Sequence, residues 1–160
     1  MTNEKIFSIM RTEPKFVELD NEELTQFISY CELENFPKAS KIINEGEFGN
    51  KFYFIVSGEV GISKSISDEV IFFISSLKKG DFFGEMAIIT EYPRSANAFA
   101  KTDVVLLSMT RSNMQIFKQE HPLCFGKFSY ILAKTLADRL YKVEERIKNI
   151  IKASVISAIT

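Results

Sequence analysis

Apolar positions fall into three regimes along the chain. In the first, Ile6, Phe7 and Met10, then Leu24, Phe27, Ile28 and Cys31, recur at spacings of one helical face and predict two helices separated at Pro14. Asp20 or Asn21 supplies the cap of the second helix, with Glu22 and Glu23 in its first turn. From about Asn35 the pattern changes to short β-branched and aromatic runs marked by Gly46, Gly49, Gly58, Gly61 and Gly80. Short strands with glycine turns at close intervals predict an antiparallel sandwich or barrel. SGEV, between FYFIV and VGISKS, predicts a hairpin, and SISD before VIFFISSL predicts another. NAFA and DVVLLSMT add two strands, with KTD as the turn. In the last third, Thr110 or Ser112 caps a helix that runs through Glu120 and stops at Pro122. A longer helix is predicted from Leu123 toward Ser157. In it Leu136, Leu140, Val143, Ile147 and Ile150 alternate spacings of four and three, the rhythm of a coiled-coil seam. The organisation expected is a helical segment over 1–34, a β-roll over 35–110 and C-terminal helices over 111–160, an α+β fold.

Composition narrows the function classes. The 160 residues suffice for one domain with a real core, and 46% hydrophobic content argues against disorder. A net charge of −1 steers the chain neither to nucleic acid nor to an anionic membrane, so any ligand charge must be met locally. No run approaches the roughly 18 apolar residues of a membrane span. The opening MTNEKIFSIMRTEPK lacks the apolar core of a signal peptide, and a cytoplasmic protein is expected. Cys31 and Cys124 have no metal or redox spacing and read as buried thiols. His121, the single histidine, precedes Pro122 and reads as a turn residue; alone it cannot furnish the several histidines of a metal-dependent β-barrel enzyme.

The chemistry concentrates in FFGEMAIITEYPRSANA, residues 82–98. A strand ending at Phe83, then Gly84 and helix-compatible residues, predicts a short helical turn whose free backbone N–H groups attract an anion. Arg94, oriented by Pro93, can swing back over that turn, and its planar fork matches a phosphate. Glu85 then fits as the acceptor for a ligand hydroxyl. A phosphate, a sugar hydroxyl and a flat apolar body together describe a nucleotide. The competing reading is a Glu85–Arg94 salt bridge across the turn, a common structural pair.

F-G-E-M-A, a spacer and then P-R-S-A resemble the phosphate-binding cassette of the cyclic nucleotide-binding domain family. Glu45-Gly46, the segment F-Y-F-I-V-S-G-E-V, K-K-G-D-F-F-G-E and K-T-D-V-V-L-L-S-M fall in the family's order, so the resemblance covers roughly 36–117. It implies a jelly-roll-like β-roll (a double-stranded β-helix) flanked by N-terminal helices and a long C-terminal helix. Arg94 would pair with the cyclic phosphate, Glu85 would accept from the ribose 2′-hydroxyl, and Gly84 would let the backbone approach. Amides near Met86 and Ala87 would complete the anion site, Ser95 would add a hydroxyl, and Ala96 would keep the wall small. Ile62, Ile74 and Leu77 are candidates for the pocket lining, or for plain core. Asn97 departs from the threonine or bulky residue often found there.

What the resemblance implies is binding without catalysis, with no cofactor. Ser95 favours cyclic AMP, with cyclic GMP as the alternative. Capture of the phosphate would repack the C-terminal helices. The seam after Leu136 would form a homodimer like that of the bacterial receptors, and an unknown downstream protein would receive the signal. Those receptors continue into a helix-turn-helix domain; the sequence given has none after Thr160, so no DNA binding is expected of it. Two alternatives stand beside the sensor: a sensory fragment of a transcription regulator of the bacterial receptor type lacking its DNA-binding domain, and a cupin-like enzyme on the same scaffold.

Overall fold

In a computed structural model, which describes residues 2–67 and 70–159, the N-terminal pattern becomes helix α1 (Asn3–Arg11), a 3-10 turn at Pro14–Phe16 and helix α2 (Asn21–Ser29). Of the two cap candidates Asp20 is the one used. Its carboxylate accepts from the Glu23 amide at 2.9 Å while Glu23 accepts from the Asp20 amide at 2.8 Å, a closed capping box.

The strands are β1 (Glu32–Phe36), β2 (Lys41–Ile43), β3 (Lys51–Ser57), β4 (Glu59–Ser65), β5 (Ile71–Lys78), β6 (Phe82–Phe83), β7 (Asn97–Ala100) and β8 (Val104–Thr110). They form two antiparallel four-stranded sheets, ordered β1-β8-β3-β6 and β2-β7-β4-β5. Strand structure begins at Glu32, before the predicted change near Asn35. β1 is an edge strand, and its two glutamates gave no apolar signal; Glu34 is held by Lys51 at 2.8 Å.

The predicted SGEV hairpin does not exist. β3 pairs with β6 and β8, whereas β4 pairs with β5 and β7, so the chain crosses from one sheet to the other at Gly58. Gly58 has φ +91°, and a Cβ there would stand 2.3 Å from the Asp103 carbonyl oxygen. Glycine is required because this corner lies against the β7–β8 corner, where Thr102 accepts from the Glu59 amide at 3.0 Å. The second predicted hairpin is present: β4 and β5 pair from Glu59↔Lys78 to Ser65↔Ile71. Asp68 of its predicted SISD turn lies outside the described residues.

β3 is buried on both faces. Phe52, Phe54 and Val56 belong to a cluster with Phe16, Phe27, Phe82, Phe117 and Phe128. Tyr53 and Ile55 face the interior of the roll with Val60, Phe83, Ala98 and Leu106. The roll therefore has its own core, and the helices close a second one over its outer side.

Helix α3 (Met86–Ile89) is a single turn between β6 and β7. Thr110, not Ser112, caps α4 (Arg111–Glu120), accepting from the Asn113 amide at 3.1 Å. His121 ends α4 and packs edge-on to Tyr30 at 5.7 Å. Helix α5 (Pro122–Ile159) is about 57 Å long at 1.5 Å per residue. Its first part is anchored by Phe128, whose ring lies 4.6 Å from Phe27 and 5.6 Å from Phe52. Past Leu136 its apolar side chains are largely unpacked, and Leu140, Val143, Ile147 and Ile150 are exposed. Cys31 and Cys124 are both free; Cys124 is buried as expected, but Cys31 is only half-buried, at the end of α2. Burial pushes the Cys124 thiol up to about 11, so it stays protonated at neutral pH. No helix among the described residues is long and apolar enough to cross a membrane.

Candidate functional site

β6 delivers the chain to Gly84, whose φ of +76° only glycine adopts without strain. The position is crowded as well: a Cβ would stand 2.7 Å from Arg94 Nη1 and 3.3 Å from the Lys51 carbonyl oxygen. The short α3 follows, and the loop after it carries Pro93 and Arg94. The backbone of Arg94 is fixed to the loop after β2, its amide donating to the Glu47 carbonyl and its carbonyl accepting from the Gly46 amide, each at 2.8 Å.

The Arg94 side chain is 9% exposed and turned inward. Nη1 donates to the Gly84 carbonyl at 2.9 Å and Nη2 to the Lys51 carbonyl at 2.7 Å. The guanidinium thus ties the start of the cassette to β3. Burial lowers its pKa from the ordinary arginine value, yet a guanidinium stays charged at any physiological pH. Gly49 leaves room for it: a Cβ there would fall 2.1 Å from Nε. Gly49→Ala should therefore push the guanidinium off its two carbonyls. We expect a lower melting temperature with the fold kept, because the Gly84 and Lys51 carbonyls lose their donor, readable by thermal melting followed by circular dichroism.

Glu85 is not the partner of Arg94. It is 5% exposed, and its Oε1 accepts from Arg139 Nη1 of α5 at 2.7 Å. Arg139 also donates to the Phe82 carbonyl. The salt bridge across the turn, one of the two sequence readings, is thereby replaced by a bridge from the cassette to α5. The other oxygen of Glu85, Oε2, is buried with no hydrogen-bond partner. Such an atom is costly unless a donor arrives. Sequence reading missed Arg139, although Leu136, Arg139 and Val143 share one helical face by their spacing. An arginine within an apolar stripe was the available signal.

These groups open on one cavity of about 450 Å³, within the range of small-ligand sites. All ten sequence candidates line it: Gly84, Glu85, Met86, Ala87, Arg94, Ser95, Ala96, Ile62, Ile74 and Leu77. Ser95 is exposed, and its hydroxyl meets the Met86 sulfur at 3.9 Å. The Ala87 amide already donates to the Gly84 carbonyl at 3.3 Å, so it is less free for an anion than expected. Lys64, Leu136, Arg139 and Val143 join the wall. Three cationic side chains against the carboxylate of Glu85 give the cavity a positive excess. Asn97 also lines it and braces the rim, accepting from the Glu45 amide at 3.0 Å and donating to Ser65 at 3.3 Å.

The family model described as the cyclic nucleotide-binding domain matches residues 33–121. The chain belongs to this family. The cyclic nucleotide-binding domain is 30% identical over 106 residues to the cAMP-dependent protein kinase regulatory subunit of Eremothecium gossypii, which covers 66% of the chain and 22% of that protein. It is 33% identical over 111 residues to human cGMP-dependent protein kinase 2, covering 68% of the chain and 15% of that protein. The crystal structure of the Thermus thermophilus catabolite activator protein superimposes with a TM-score of 0.74 at 28% identity, over 86% of this chain and 62% of that one. The chain thus spans less than a quarter of either kinase protein's length. It is similar to a kinase regulatory subunit and to a bacterial catabolite activator.

Proposed function

We propose that the domain senses cyclic AMP, binding it without turnover and passing the event on through α4 and α5. The observation that carries this is Glu85: a buried carboxylate oxygen without a donor, in the same cavity as a buried arginine. The ribose 2′-hydroxyl supplies the missing donor. The cyclic phosphate takes N–H groups of Arg94 not engaged with the backbone, helped by the amide end of α3. Ile62, Leu77, Leu136 and Val143 give the base an apolar bed. That bed favours adenine, because the additional polar groups of guanine would lose water there without compensation.

Calorimetry of nucleotide-stripped protein tests this with cyclic AMP, cyclic GMP and 2′-deoxy cyclic AMP. Cyclic AMP should bind tightest. The deoxy analogue should lose about 10- to 100-fold, the value of a hydrogen bond to a charged group at about 1.5–3 kcal/mol. Glu85→Ala should bind the ribose and deoxyribose ligands alike. A folded wild type that gives no heat with either cyclic nucleotide sinks the reading.

The exposed seam of α5 supports pairing with a second copy, from which a downstream protein would read the state of the helix. Leu140→Asp with Ile147→Asp should shift the sedimentation of a dimer to that of a monomer. Unchanged sedimentation would remove the seam as the interface.

A further inference from the structure

Arg111, the first residue of α4, was not among the sequence candidates and does not line the nucleotide cavity. Its half-buried side chain crosses to α3: Nη2 donates to the Ala87 carbonyl and, at 3.0 Å, to the Thr90 carbonyl. These oxygens lie at the C-terminal end of the cassette turn, where a helix leaves carbonyls unpaired and favours a cation. The Arg111 amide meanwhile donates to the Asn50 carbonyl at 2.7 Å, just before β3 begins. One residue therefore joins the end of the cassette turn, the start of α4 and the strand whose Lys51 carbonyl holds Arg94.

Packing between these elements is incomplete. A groove of about 430 Å³ runs between α3 and the α4–α5 pair, lined by Ile88, Ile89, Met114, Leu132 and Leu136 among others. Apolar contact alone would let α3 shift into this space without moving α4. The directed hydrogen bonds of Arg111 would not, since they tie the end of α3 to a side chain rooted in the first turn of α4.

Resting on the proposal that this domain is a nucleotide sensor, we propose that Arg111 is the positioning residue that converts movement of the cassette into movement of α4. It touches no ligand. Its effect is a coupling free energy between the cavity and the helices, and such coupling is reciprocal. Removing it should therefore leave cyclic AMP affinity unchanged or raise it by up to about fivefold, because binding no longer drives the helix. A residue that merely supported the fold would instead weaken binding or leave the response intact.

The experiment is hydrogen–deuterium exchange over residues 111–136 with and without cyclic AMP, beside calorimetry, for wild type, Arg111→Met and Arg111→Lys. Wild type should show a nucleotide-dependent change across α4, the methionine variant should bind but lose that change, and the lysine variant should keep most of it. Lysine can still bring one ammonium to both carbonyls. If the methionine variant does not fold, Arg111→Gln, too short for both carbonyls, takes its place with the same expectation. A variant that binds and keeps the full change in α4 overturns the proposal alone. So does a variant whose binding falls more than about tenfold, which would make Arg111 a support of the site rather than a coupler. A wild type that binds no cyclic nucleotide overturns the sensor reading and this proposal together.

Discussion

Arg94→Ala should lower cyclic AMP affinity by about 10- to 100-fold and lower the stability of the ligand-free protein. The first effect follows from loss of a charge-assisted pair with the phosphate, about 1.5–3 kcal/mol. The second follows from what the guanidinium does without ligand. It satisfies the Gly84 and Lys51 carbonyls, and leaving such groups unpaired costs about 1–3 kcal/mol. In a domain of this size each kcal/mol corresponds to roughly 2–4 °C in melting temperature. Arg94→Lys retains the charge but cannot present two donors in one plane, so it should fall between wild type and alanine in both measurements. Calorimetry and thermal melting together check this. Unaltered affinity in the alanine variant would remove Arg94 from the phosphate site, and an unaltered melt would show the two carbonyls to be solvated.

The second large effect is expected at Arg139→Ala. It removes the counter-charge from Glu85, which is buried, while Arg139 itself is about one-third exposed. The pair should contribute toward the lower end of about 1.5–3 kcal/mol, because solvent screens the arginine side. Denaturant unfolding of Arg139→Ala, Glu85→Gln and the double variant should show non-additivity of more than about 0.5 kcal/mol. The same substitution should loosen α5 beyond Leu136, because Arg139 holds that part of the helix to the roll through both Glu85 and the Phe82 carbonyl. Strict additivity would mean that the contact is incidental.

How much of this was legible before the structure depends on what kind of signal each feature leaves. Helices α1 and α2 announced themselves by apolar spacing, and α2 and α4 by their caps, because those are local properties of the chain. The cassette was legible because the glycine, acid and arginine lie within a few residues of one another. Pairing across sheets was not. A single glycine between two strands looks the same whether the chain folds back or passes to another sheet, and only the Asp103 carbonyl against Gly58 decides it. Arg139 lies far along the chain from Glu85, and Arg111 acts on carbonyls, which carry no residue identity. Gly49 read as an ordinary turn glycine until the guanidinium beside it was placed. The acidic β1 misled for a different reason: an edge strand faces water, so it does not need an apolar pattern.

The outer sheet of the roll is closed by its most distant strands, β1 against β8, joining Glu32 to Ser108. Loop-closure entropy must be overcome before such a pairing returns any stabilisation, and topologies of this kind fold slowly. The cassette lies between those strands in sequence, and the carbonyl of Lys51 that steadies Arg94 belongs to β3, the strand wedged between β8 and β6. During synthesis, then, a ribosome that has released the cassette has not yet made a receptor. Ligand competence should arrive late, once the strand through Thr110 has closed the sheet and α5 has brought Leu136, Arg139 and Val143 to the cavity wall.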